Sequence, residues 1–386
     1  MTHISEREIQ LHEGVISKLL KICAEDKNII SLGPGEPDFK TPKAILDYGR
    51  KMMDKATHYS APNGRADLRE AIAKRLKTKN KINADPKDVI VTSGSQEGLF
   101  SAMLAAIDPT EQVIIQDPGY LGYIPILDLV EGVPIGVPLK EEDKFELQPD
   151  SVKKAVDKKK TKVILVNSPA NPTGNVLSRK TMEAIADIAV ENDLLIFSDE
   201  AYQDLVYDKK HISFGSLNGM EKNVVTFHTF SKSYAMAGFR CGYMHGPSEF
   251  MKAASMPHHY MTLAPPHISQ FMALKALSLP KTHIEKMRKE YDKRRRFIVP
   301  ALNDMGLTTH MPSGAFYAFS NITGSTELNS FDFAKDLLNK AKVAVVPGSE
   351  FGKHGEGFIR FSYATEISKI KEAMDRIEKY LEKYGE

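Results

Sequence analysis

The chain has 386 residues, 42% hydrophobic and 26% charged, proportions of a globular protein with a large core rather than of a disordered, collagen-like or coiled-coil chain. Lys and Arg number 52 against 50 Asp and Glu, a formal +2 at pH 7, so no broad basic field is available to hold nucleic acid or an anionic membrane. Two cysteines, Cys23 and Cys241, without CxxC or Cys/His spacing, exclude a disulfide framework and a zinc site and fit a reducing, cytoplasmic compartment.

Residues 1–28 scatter Glu, Arg, Lys and His among their apolar positions, unlike a secretory signal, and nowhere do about 18 apolar residues run together as a membrane span requires. Asp88–Thr92 (DVIVT) then leads through Ser93-Gly94-Ser95 to a helical pattern over Gln96–Ile107. Gln112–Gln116, Lys162–Val166, Leu194–Ser198, Val224–His228 and Cys241–His245 are further short β-branched runs, separated by turns and helical stretches. Strands without polar alternation, interleaved with helices, predict a mostly parallel sheet covered on both faces, the doubly wound α/β arrangement.

The last hundred residues differ in character. A long charged helix runs from Lys281 to about Met305, followed by a strand segment over Gly314–Ser320 and a helix over Phe331–Lys342. Strands at Val343–Val346 and Phe358–Ser362 and a helix at Glu366–Tyr384 close the chain, an α+β unit. The expected organisation is an N-terminal arm over 1–43 that joins the small domain, a large α/β domain over 44–285 and a small α+β domain over 286–386. The dense charge runs Lys158-Lys159-Lys160 and Arg294-Arg295-Arg296 read as solvated faces.

Ligands of open α/β sheets bind at the carboxyl ends of the strands. Those exits carry Gly94, Ser95 and Gln96, then Tyr120, Asn171, Asp199 and Tyr202, then Thr229, Ser231 and Lys232. A lysine just past a buried strand is poorly solvated, which lowers its pKa and frees the amine to attack carbonyls. Alone, such a lysine would ordinarily be a surface residue with a buried stem. Its neighbours change that reading: two hydroxyls, the amides of a helix start and Arg240, eight positions on, together suit a phosphate dianion. The spacing matches neither the P-loop nor GxGxxG. A phosphate site beside a Schiff-base lysine points to pyridoxal phosphate, with Asp199 placed to pair with the pyridine nitrogen. Tyr202, expected one turn further along a helix that Asp199 would start, and Asn171 are placed to reach the ring hydroxyl. No metal-ligand pattern occurs.

Five ordered motifs carry a family resemblance: Gly33-Pro34-Gly35-Glu36-Pro37-Asp38-Phe39, Ala170-Asn171-Pro172-Thr173-Gly174, Ser198-Asp199-Glu200-Ala201-Tyr202, the segment Thr229–Arg240 and Gly357-Phe358-Ile359-Arg360-Phe361-Ser362. The chain resembles class I aminotransferases of the aspartate and aromatic type, members of the pyridoxal-phosphate fold type I superfamily. The resemblance implies that Lys232 forms the Schiff base, that Asp199 partners the pyridine nitrogen, and that Asn171 and Tyr202 meet the ring oxygen. It assigns Gly94, Ser95, Gln96, Thr229, Ser231 and Arg240 to the phosphate cup. It gives Arg360 the substrate α-carboxylate, beside the backbone of Gly35, and Tyr59 the cofactor of a neighbouring subunit, hence a homodimer with shared sites. Where family members commonly stack a tryptophan on the cofactor ring, this chain, which has none, offers Tyr120.

The implied reaction moves an amino group from an amino acid to a 2-oxo acid in two half-reactions with ping-pong kinetics, Lys232 shuttling the proton. Some aspartate enzymes use a phosphate-cup lysine for the distal carboxylate; Gln96 stands there, so aromatic as well as acidic donors are expected, with 2-oxoglutarate as acceptor. His258 and His259 read as surface or interface histidines. The alternative is a C–S or β-lyase on the same framework, since the same electron sink serves elimination. A DNA-binding regulator is disfavoured by the lack of a basic patch.

Overall fold

The computed structural model describes His3, residues 21–23 and residues 25–384; most of the expected N-terminal arm lies outside the described residues. Seven strands form the main sheet: β2 (Val89–Thr92), β3 (Gln112–Asp117), β4 (Val133–Pro138), β5 (Thr161–Asn167), β6 (Leu195–Asp199), β7 (Val224–Thr229) and β8 (Gly242–His245). Their spatial order is β2-β8-β7-β6-β5-β3-β4. All pairings are parallel except those of β8, which runs antiparallel to both β2 and β7. The predicted runs became strands because Val, Ile and Phe fill both faces: β2 is buried along its whole length and β5 at all positions but Lys162. One face packs Ile114, Ile164 and Ile196 against α6 (Arg179–Glu191); the other packs Val113, Leu165 and Phe227 against α3 (Ser95–Ala106) and α4 (Tyr123–Leu129).

Strand β4 is an element that the sequence reading does not contain. Its sequence VPIGVP carries two prolines and a glycine, which argue against a central strand, and it lies at the sheet edge beyond β3, where a missing N–H costs little.

A second body is built around β9 (Thr308–Thr309), β10 (Tyr317–Asn321), β12 (Val346–Pro347) and β13 (Phe358–Ser362), paired antiparallel in the order β12-β13-β10-β9. The 23-residue helix α10 (Thr282–Asp304) and the 18-residue helix α12 (Ile367–Tyr384) cover it. Short strand β1 (Ile30–Ser31) pairs in parallel with β11 (Val343–Ala344), and Leu32 joins this C-terminal core, which stitches the start of the chain to its end.

Arg294 and Arg295 correct the sequence expectation of a solvated face. Both are buried: Arg294 donates to Asp38 and Glu290, and Arg295 donates to Asp292 and lies 4.4 Å over the Tyr207 ring, so only Arg296 of that run faces solvent. Among the described residues, no helix is long and apolar enough to cross a membrane.

Candidate active site

One pocket opens at the carboxyl ends of β5, β6 and β7 and is lined by Gly94, Ser95, Gln96, Tyr120, Asn167, Asn171, Asp199, Tyr202, Thr229, Ser231, Lys232 and Arg240. Leu99 and Ala201 line it too; apart from these and Asn167, its residues are ones that the sequence singled out, drawn together from five separate stretches of chain.

Asp199 ends β6, where its backbone pairs with β5 and β7 and its side chain turns into the pocket. Its carboxylate accepts from Tyr123 Oη at 2.8 Å and from the Ala201 amide at 3.1 Å. Burial outweighs those bonds and pushes its pKa up to about 6. The helix expected to start here is absent: residues 201–204 form turns, and Tyr202 reaches the pocket from that turn, its hydroxyl 2.6 Å from the hydroxyl of Tyr317.

Lys232 sits in α7 (Phe230–Ser233), a single turn capped by Thr229, whose Oγ1 accepts from the Ser231 amide at 3.1 Å. The stem opens on the pocket while the amine donates to the Gly35 carbonyl. Desolvation, with the charges of Arg360 and Arg240 adding to it and those of Glu36 and Asp199 opposing it, pushes the pKa down to about 8. Near neutral pH the amine is therefore partly deprotonated.

The residues expected to form a phosphate cup gather around the N-terminus of α3. Gly94 precedes it with φ +83°, a conformation that a Cβ makes costly, and a Cβ there would stand 2.6 Å from Arg240 Nη2. The bare backbone thus lets the guanidinium approach the free amides of Ser95 and Gln96, an arrangement suited to an anion. Thr229 Oγ1 and Ser231 Oγ, 2.9 Å apart, complete it. Tyr120 lines the wall next to them, its hydroxyl 3.3 Å from Gln96 Oε1 and its ring edge-to-face with Tyr123 at 5.3 Å.

Arg360 is fully buried behind this wall. It donates to Asn171 Oδ1 at 3.0 Å and to the Gly33 carbonyl, stacks 4.4 Å over Tyr317 and 4.9 Å over Phe351, and leaves Nε without a partner. An unpaired buried guanidinium N–H is expensive unless a ligand meets it. Gly35 is not on the pocket wall, but a Cβ on it would meet Tyr317 Oη at 2.5 Å. Tyr59 is not brought into the pocket at all; it is 80% exposed in the loop before α2 (Ala66–Arg75). His258 is a correction: it is fully buried, with Nδ1 2.9 Å from Glu97 Oε1 and Nε2 2.9 Å from the Pro62 carbonyl. His259 is half-buried beside the exposed Tyr260.

Sequence reasoning missed three groups. Tyr123 supports Asp199, Tyr317 supports Tyr202, and Asn167 donates to the Asp199 carbonyl at 3.0 Å while accepting from the Asn171 amide at 2.8 Å. Only Asn167, directly after a predicted strand, carried a positional signal.

The donor set fits pyridoxal phosphate on the structure's own terms. A carboxylate held up to about 6 has no cation bonded to it, and a pyridinium N–H would supply one; the glycine-based cradle fits a phosphate, and the lysine suits an aldehyde.

Comparison with known proteins agrees. The family model "Aminotransferase class I and II" matches residues 27–377. An aspartate aminotransferase of Pyrococcus abyssi is 45% identical over 98% of both chains, and an aromatic-amino-acid aminotransferase of Thermococcus litoralis is 42% identical over the same share. Among solved structures, the aspartate aminotransferase of Thermus thermophilus with maleate superposes with a TM-score of 0.94 at 32% identity, covering 98% of this chain and 100% of that one. With the fold and nearly the whole length in agreement, the chain belongs to the class I and II aminotransferase family and is a pyridoxal-phosphate-dependent aminotransferase.

Proposed function

We propose that the protein moves amino groups from acidic and aromatic amino acids to 2-oxoglutarate in two half-reactions with ping-pong kinetics. The observation that carries this reading is the pairing, in one pocket, of a desolvated lysine amine with a buried carboxylate, backed by an arginine whose Nε lacks a partner. When bound, pyridoxal phosphate supplies the electron sink that lets an amino acid's α-carbon give up a proton. Asp199, as an anion, holds a proton on the ring nitrogen. Lys232 takes the α-proton as general base and returns one as general acid, a role suited to a pKa near working pH. Arg360 grips the substrate α-carboxylate through its fork, which a lysine would not match. The amides of Ser95 and Gln96, the hydroxyls of Thr229 and Ser231 and Arg240 hold the phosphate. Tyr120 presents a flat ring face, and Asn171 and Tyr202 hydrogen-bond the ring oxygen.

The donor preference rests on two supports. Relatives named for aspartate and for aromatic amino acids are similarly close, at 45% and 42% identity. At position 96 a glutamine, bonded to Tyr120, offers a polar but uncharged edge that accepts either side chain. Turnover of aspartate, tyrosine, phenylalanine and alanine with 2-oxoglutarate tests it; activity with alanine alone overturns it.

The same reading makes the functional unit a cytoplasmic homodimer, each protomer a large domain over 44–285 and a small one over 286–386. Tyr59, Met53 and Tyr260, 80%, 56% and 80% exposed, are apolar surface of the kind a second copy covers, and Tyr59 then serves the neighbour's phosphate. Sedimentation alongside activity checks this; a fully active monomer refutes it.

A further inference from the structure

A second cleft, of about 400 Å³, lies away from the pocket between the end of α2 (Ala66–Arg75) and the end of α9 (His267–Ser278). Its lining includes Lys74, Arg75, Lys79 and Lys281, four cations, with Ala71, Leu274 and Leu277 as apolar wall. One buried carboxylate, Asp204, sits beneath them. It is already bonded by Arg75 Nη2 at 2.7 Å, by Lys79 and by Ser233 Oγ at 2.7 Å. Among the described residues neither Lys74 nor Lys281 has a carboxylate within ion-pair distance, so the cleft keeps an excess of about three positive charges.

The local backbone gathers this charge on purpose-shaped ground. After α2 the chain widens into a π-turn over Leu76–Asn80 that ends at Lys81 with φ +61°, and this turn swings Lys79 inward beside Arg75. Desolvation and the neighbouring cations Arg75 and Lys281 push the Lys79 pKa down to about 8, although Asp204 opposes them. Lys281, moreover, immediately precedes the 23-residue α10 and makes no side-chain cap, so the positive end of that helix dipole adds to the rim.

We propose that this cleft binds a small phosphate monoester, its dianion between Lys74, Lys79 and Lys281 and its organic part on Leu274 and Leu277. A single cleft rather than a stripe of cations suits one small anion, not a nucleic-acid backbone.

The test uses holoenzyme saturated with cofactor, so that the phosphate cup is filled, in low-salt buffer free of phosphate. Titration calorimetry with phenyl phosphate is compared with inorganic phosphate and with succinate. Phenyl phosphate is expected to bind saturably and more tightly than either, and the exposed double substitution Lys74→Ala with Lys281→Ala is expected to weaken it about tenfold or more. Thermal melting of the variant checks that it folds. No saturable binding, an affinity unchanged by the double substitution, or succinate binding as well as phenyl phosphate would overturn the proposal. The outcome is independent of which amino acids the catalytic pocket accepts.

Discussion

Asp199 and Glu200 are neighbours in sequence, both buried, and their surroundings have opposite effects. Glu200, on the far side of the strand end, is saturated. His211 Nε2 lies 2.8 Å from it, Ser198 donates at 3.0 Å and Asn80 at 3.2 Å, Ser213 donates at 2.5 Å, and His228 is nearby. Burial alone would raise its pKa, but His211, His228 and the hydroxyl of Ser213 hold it below the ordinary 4.5. Asp199 has one hydroxyl and one amide, and is held up to about 6. The lesson is one of satisfaction. A buried charge that the protein fully solvates builds the fold, and one that it leaves short of partners awaits a ligand.

Substitutions can break this contrast. The largest effect is expected from Lys232→Ala, which should lower turnover by about 10⁴-fold or more while the protein still folds. Steady-state rates and the protein's visible absorption check it. Asp199→Asn keeps the shape and removes the charge; turnover should fall by about 10²–10³-fold with little change in apo melting temperature. Retention of full activity would sink the assignment of Asp199.

The remaining tests concern stability. Burying the Lys232 ammonium destabilises the cofactor-free protein, so Lys232→Met should stabilise it by about 2–3 kcal/mol at pH 7. The folded pKa, about 8, lies below the unfolded 10.5. Between those values the unfolded state binds more protons, so wild-type stability rises with pH and the advantage of the Met variant disappears by the upper end. Denaturant midpoints across that range measure it. Glu200→Gln should cost about 1–3 kcal/mol and leave turnover nearly intact, the reverse of the Asp199 result. Because the Glu200 pKa is depressed, its contribution is present above 4.5 and fades as pH falls further, so wild type and variant should converge in acid.

Much of the fold was legible because strand interiors such as Val163–Val166 are apolar on both faces, which leaves few alternatives. The direction of β8 was not, since GYMH reads alike in either sense and only the path of the chain sets it. The site was legible where chemistry follows a strand end, as at Asp199, Asn171 and Lys232. It was not where a supporting group arrives from far along the chain. Tyr317 meets Tyr202 across 115 positions, and His258 is enclosed by Glu97 and Pro62, which lie 161 and 196 positions away; helical periodicity could not announce either contact.

Arg240 closes the segment that carries Lys232 with φ +50°, in the left-handed region that side chains with a Cβ avoid at a cost of about 1–2 kcal/mol. Glycine would sit there without strain. The protein therefore holds a standing local tension so that a guanidinium, rather than bare backbone, faces the Gly94 turn. Evolving this enzyme toward heat resistance by relaxing that turn would therefore remove a cation from the pocket wall.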